Sequence, residues 1–132
     1  MHGRRDCRVL FDFLLYRGWI DSQVSPFATI KCYQSVVSTM SGMFNAARSV
    51  RLFMSPGMGH CGGGDGPNVF DRVGFAPQWF EKGQAQQSLM VSHSKDGKVD
   101  RTRPLCPHPR VAMYKGGGSI DDAANFTCQL PK

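Results

Sequence analysis

Two hydrophobic patterns alternate along the first half of the chain. Residues 9–16 (VLFDFLLY) form a near-continuous apolar run broken by Asp12, the pattern of a strand covered on both faces. After Gly18-Trp19-Ile20-Asp21 and a loop holding Pro26, apolar residues recur at Phe27, Ile30, Tyr33, Val36, Val37 and Met40. These steps of three and four predict an amphipathic helix over 27–40, stopped by Gly42. Residues 50–54 (VRLFM) read as a second strand, running straight into Ser55-Pro56-Gly57-Met58-Gly59-His60-Cys61. A helix over 69–82, interrupted by Gly74 and Pro77, is expected next, then a strand over 88–92 and a turn at Lys95-Asp96-Gly97-Lys98. From Arg103 onward the Pro and Gly content predicts irregular chain, with one short extended piece at 111–114.

Strand, loop, helix, strand, loop is the order of a parallel α/β sheet with flanking helices. In such sheets the chemistry sits in loops at the carboxyl ends of the strands. Two loops of this kind occur, and each carries one notable polar residue: Asp21 in the first and His60 in the second.

Composition removes several classes. The 132 residues suit one small domain or a piece of a larger one, and 41% hydrophobic with 20% charged residues is ordinary for a globular protein. No stretch approaches the roughly 20 apolar residues of a membrane span. Arg4, Arg5 and Arg8 before an apolar run imitate a signal peptide, but Asp12 interrupts the run and no small-residue cleavage site follows. The net charge of +6 is scattered, with no basic helix face and no interleaved aromatics, so a solvated basic surface is expected and not a nucleic-acid partner. Glycine is the outlier: five of its fifteen copies fall between 59 and 66.

That glycine tract invites three chemistries. Gly57-Met58-Gly59-His60-Cys61-Gly62 satisfies GxGxxG, yet Gly62-Gly63-Gly64-Asp65-Gly66-Pro67 does not open a helix, as a dinucleotide site requires. A metal site at His60 with Cys61, Asp65 or His93 lacks a second ligand pair. An Asp after one strand and a His after the next fits the Asp…His order of α/β-hydrolases, in which the carboxylate orients the imidazole that takes the nucleophile's proton. On spacing alone, an Asp capping the following helix region and a His held in a turn is the simpler account.

Larger motifs favour the hydrolase. Residues 51–71 (RLFMSPGMGHCGGGDGPNVFD) resemble the histidine loop of the tannase and feruloyl esterase family. Residues 14–26 (LLYRGWIDSQVSP) are similar to its acid loop, and residues 101–128 (RTRPLCPHPRVAMYKGGGSIDDAANFTC) to its C-terminal segment. The resemblance implies the C-terminal part of an α/β-hydrolase domain over 9–132, with 1–8 unassigned. It implies a secreted or periplasmic serine carboxylesterase acting on gallate or ferulate esters of plant phenolic acids by a Ser-His-Asp mechanism.

By that resemblance Asp21 is the triad acid and His60 the base. Cys61 is then the cysteine that bonds to the one preceding the nucleophilic serine, and Cys106 with Cys128 closes the tail. No cofactor is implied for this stretch, since the family's calcium site belongs to a lid expected upstream, and no membrane or nucleic-acid partner is implied either. Two positions depart from the family: Arg17 stands where His commonly precedes Gly-Trp, and Ile20 is bulkier than the usual residue before the Asp. Arg17 can still pair with a nearby carboxylate.

The nucleophile has no candidate in this sequence. Ser41, Ser55 and Ser119 all lack the G-x-S-x-G setting of a nucleophile elbow. A serine upstream of Met1 is therefore expected, with the oxyanion hole, and these 132 residues alone are expected to be inactive. The alternative is a non-enzymatic, truncated secreted module. Cys32, between Ile30 and Tyr33, is expected to be a buried thiol, Trp19 a packing residue, and His93 and His108 surface residues. No partner is assigned to Cys7.

Overall fold

The computed structural model describes residues 12–71, 73–74 and 76–132. Cys7, the unassigned segment 1–8 and the first three residues of the expected strand over 9–16 lie outside them. Strand β1 spans Phe13–Gly18, helix α1 Pro26–Thr39, the short helix α2 Met43–Ala46 and strand β2 Val50–Ser55. β1 and β2 pair in parallel, from Phe13 opposite Val50 to Gly18 opposite Ser55, and α1 makes the crossover that parallel pairing requires.

The apolar stripe read from the sequence seats α1 from Ile30 onward, whereas Phe27, read as its first member, is exposed. Tyr33, Ile30, Val36, Val37 and Met40 pack on Leu15, Val50, Leu52 and Met54. Pro26 opens the helix at its first turn, where its missing N–H costs nothing. The stop is a two-residue device. Ser41 takes the left-handed conformation (φ +62°), and the amides of Ser41 and Gly42 donate back to Ser38 and Val37 at 3.1 and 2.8 Å, the pairing of a Schellman cap. Cys32 falls off the stripe and is exposed, so the buried thiol expected there is corrected.

Successive side chains of β2 point to opposite faces. Val50, Leu52 and Met54 meet α1, whereas Phe53 joins Leu89, Val91 and Leu105 on the other face with Leu14 and Tyr16 of β1. Cover on both faces explains the near-continuous apolar run. The second cover is not a helix but an antiparallel hairpin, β3 (Leu89–Lys95) and β4 (Lys98–Leu105). Positive φ at Asp96 and Gly97 closes its turn, as in a type I′ hairpin.

The expectation of a mostly parallel sheet is thus corrected. Among the described residues there are three two-stranded sheets, and only β1–β2 is parallel. The helix expected over 69–82 is replaced by a bridge from Val69 to Ser92 and one π-helical turn, Pro77–Glu81. Asp71 turns the chain between them by accepting the amides of Val73 and Gly74 at 3.0 and 2.8 Å. Trp79 on that turn is buried and donates its indole N–H to the Arg48 carbonyl at 3.0 Å. The tail is ordered, not irregular. β5 (Val111–Tyr114) and β6 (Phe126–Gln129) pair antiparallel, and a Cys106–Cys128 disulfide ties them to the end of β4.

Candidate active site

Parallel pairing of β1 and β2 puts Gly18 beside Ser55, so the loops that follow leave the same edge side by side. Backbone bonds then join the loops: Trp19 N–H donates to the Ser55 carbonyl at 3.0 Å and Ile20 N–H to the Met58 carbonyl at 3.2 Å. Gly18 makes the approach feasible, because a Cβ there would lie 1.9 Å from the Met58 oxygen. The base loop is folded on itself by the same means. Gly66 N–H donates to the Gly57 carbonyl at 3.0 Å, and a Cβ at Gly66 would lie 2.1 Å from the Pro56 oxygen.

These constraints deliver His60 to Asp21, 39 residues apart in sequence, with Nδ1 2.8 Å from Oδ2. The Asp21 side chain is wholly buried, while the His60 side chain is 36% exposed. Asp21 Oδ1 accepts the amides of Gln23 and Val24 at 2.8 and 3.0 Å, and Oδ2 also accepts Arg17 Nη1 at 2.8 Å. Arg17 is itself held by α1, donating from Nε to Thr29 Oγ1 at 3.1 Å. Burial alone would raise the Asp21 pKa. The Val24 and Gln23 amides, with His60 and Arg17, outweigh that and hold the carboxyl well below the usual carboxylate range.

An ionised carboxylate only accepts hydrogen bonds. His60 must therefore carry its neutral-state proton on Nδ1, which leaves the Nε2 lone pair as a base. The arrangement can take a proton from a hydroxyl and hold the resulting imidazolium against Asp21, the task of base and acid in a catalytic triad.

The remaining candidates fall elsewhere. Cys61 is exposed, next to His60, in the left-handed conformation with φ +58°. Ser55 is buried and donates its hydroxyl to the Pro67 carbonyl at 3.0 Å. Trp19 packs edge-on against Phe27, 5.9 Å between ring centroids. His93 makes its own pair with Asp100 across the β3–β4 hairpin, 2.6 Å from Nδ1 to Oδ1. His108 is not a plain surface residue: it packs edge-on to Tyr33, and burial pushes its pKa down. Among the described residues no three His, Cys, Asp or Glu side chains cluster to hold a metal ion. Asp65 instead helps line a cavity of about 430 Å³, with Trp19, Ser55, Arg103 and His108, which borders both loops without receiving Asp21 or His60.

Sequence reasoning allowed Arg17 a carboxylate partner without naming which one, and it did not find Thr29 or the Gln23 and Val24 amides. The spacing of Arg17 and Asp21, four apart across the strand end, was the available signal.

The sequence profile described as tannase and feruloyl esterase matches residues 12–129. The chain belongs to the tannase and feruloyl esterase family. It is 40% identical over 121 residues to the mono(2-hydroxyethyl) terephthalate hydrolase of Piscinibacter sakaiensis, covering 89% of this chain and 20% of that protein. A probable feruloyl esterase of Arthroderma benhamiae is 34% identical over 119 residues, covering 87% of this chain and 22% of the relative. The structure superposes on an esterase from Aspergillus oryzae with a TM-score of 0.81 and 29% identity, over 89% of this chain and 27% of that one. Feruloyl esterase B from the same organism gives 0.77 and 27%, over 89% and 26%. This member of the family thus spans about a fifth to a quarter of the length of these relatives.

Proposed function

We propose that this chain supplies the acid and base of a serine carboxylesterase that cleaves esters of aromatic, phenolic acids such as gallate and ferulate. Asp21 is the acid and His60 the base, and the serine comes from another segment of the enzyme. The observation that carries the reading is the 2.8 Å contact from His60 Nδ1 to a buried, multiply bonded Asp21 carboxylate, in a chain of this family.

In the reaction, His60 Nε2 takes the serine Oγ proton as Oγ attacks the ester carbonyl. The imidazolium so formed is stabilised by Asp21 through Nδ1–H, then gives its proton to the departing alcohol. Water repeats the cycle on the acyl-enzyme and releases the acid. Cys61, next to the base, would tie this loop to the serine loop through a disulfide. The relatives named for ferulate and terephthalate esters share an aromatic acid on the acyl side, which supports the substrate class. The Cys106–Cys128 bond supports an oxidising, secreted or periplasmic setting. No helix among the described residues is long and apolar enough to cross a membrane.

The test is a segment exchange. Residues 12–129 replace the matching segment of feruloyl esterase B from Aspergillus oryzae, and hydrolysis of methyl ferulate and methyl gallate is followed. Turnover that His60→Ala abolishes supports the reading, and turnover indifferent to His60→Ala refutes it. The isolated 132-residue chain is expected to hydrolyse neither ester. Hydrolysis by that chain, lost on His60→Ala, would place the nucleophile within it and overturn the division of labour.

A further inference from the structure

All four acceptor positions of the Asp21 carboxylate are occupied. The two on Oδ1 are filled by the loop's own amides, Gln23 and Val24, and these fix the orientation of the group by themselves. The two on Oδ2 are filled by His60 and Arg17, each at 2.8 Å. Orientation therefore does not require Arg17. What the guanidinium adds is a permanent positive charge on the oxygen that must steady the imidazolium. It cannot swing away cheaply, because its side chain is only 20% exposed and Nε is held by Thr29 of α1.

We propose that Arg17 is a positioning residue that sets the working pH of the base: by sharing Asp21 Oδ2 with His60, it delays proton uptake by the Asp21–His60 pair to lower pH than the pair alone would show. The proposal deepens the triad reading of Asp21 and His60 and rests on it. When His60 takes a proton, two cations share one carboxylate oxygen, and a like charge at this range disfavours the charged form. With two cations on one oxygen, the pair consequently takes up its proton further into the acid range. The cost is weaker stabilisation of the imidazolium at the height of the reaction.

Among the described residues, the titratable and polar side chains that bear on the pair come from three elements. The end of β1 gives Arg17, the base loop gives His60 with exposed Cys61 and Asp65 further along, and α1 gives only the uncharged Thr29 hydroxyl, by way of Arg17. Arg17 is thus the one permanent cation that touches the carboxylate among the described residues.

The experiment follows the carbon-bound ring protons of His60 by NMR in the 132-residue chain as pH is varied. Removing the cation should let the pair take up its proton at higher pH, so Arg17→Met should raise the midpoint by about one pH unit. Arg17→Lys, which keeps the charge, should leave it near the parent value. Should the Met variant not fold, Arg17→Gln keeps a donor toward Oδ2 without the charge and should show the same rise. An unmoved midpoint in the Met or Gln variant, or a rise as large in the Lys variant, overturns the proposal. The readout needs no hydrolysis, so a failed esterase assay with a moved midpoint rejects the triad, and a His60-dependent esterase with an unmoved midpoint rejects only the role of Arg17.

Discussion

Gly18 and the carbonyl of Met58 are in backbone contact, so close that a Cβ on residue 18 would lie 1.9 Å from the oxygen. That oxygen also accepts the Ile20 amide at 3.2 Å. The acid loop is therefore laid on the base loop by main chain alone, before Asp21 and His60 meet. Gly18→Ala must push the two loops apart, since the obstacle is backbone and cannot rotate away. We expect a loss of about 3 kcal/mol or more in urea unfolding of the chain. The His60 ring signals should shift as the contact to Asp21 lengthens. Unchanged stability would mean that the loops adapt.

Asp21→Asn keeps the shape of the side chain and an oxygen for the Gln23 and Val24 amides. The amide group then turns its NH2 toward His60 Nδ1, which must become an acceptor, so the ring proton moves to Nε2 and the base is lost. In the exchanged esterase kcat is expected to fall on the order of 10⁴-fold, with KM little changed because Asp21 binds no substrate. A fall of less than about tenfold would remove Asp21 from the chemistry.

Acid stability tests the same carboxylate without any substrate. Its folded pKa is lowered, the Val24 and Gln23 amides, His60 and Arg17 outweighing the effect of burial. The unfolded value is the ordinary one of about 3.9. A lowered folded pKa contributes stability that is full above the unfolded value and is lost as pH falls through the folded one. The stability gap between the parent chain and Asp21→Asn should therefore be constant near neutral pH and close progressively below about pH 4. Chemical unfolding across that range measures it, and a gap that widened in acid would contradict the hydrogen-bond account.

What the sequence disclosed follows from where the information is local. The α1 stripe from Ile30 to Met40 and the turn at Asp96-Gly97 are written in short-range spacing, and both fold as read. That Asp21 and His60 meet is also legible, because each lies in the loop after a strand and sits in a family motif. The hairpin partner β4 (KVDRTRPL) was not. It carries no apolar alternation, since its pairing with β3 and its contact with Phe53 do the work of burial. The helix expected over 69–82 failed because Gly74 and Pro77 outweighed the apolar spacing, leaving one turn around Trp79. Arg17 was visible as a departure from a family pattern and as a partner for some nearby carboxylate, but not as a residue on the oxygen that also meets His60. Its role depends on Thr29 and His60, which are 12 and 43 positions away in sequence.

The Cys106–Cys128 bond should separate the tail from the site. It spans 22 residues of chain, and a loop of that length is worth about 3 kcal/mol through its restriction of the unfolded chain. It joins the end of β4 to β6, whereas Asp21 and His60 hang from β1 and β2. The two regions meet where Pro107 bridges Phe53 and His108 N–H donates to the Leu52 carbonyl at 2.7 Å. Cys128→Ser is accordingly expected to lower the stability of the chain by about 3 kcal/mol and to raise hydrogen exchange first in β5 and β6. The Asp21–His60 contact should persist until the whole chain unfolds, because its own bonds come from Arg17, Gln23 and Val24. Hydrogen exchange resolved by residue checks this, and early loss of protection at Gln23 and Val24 would show that the tail props up the acid loop.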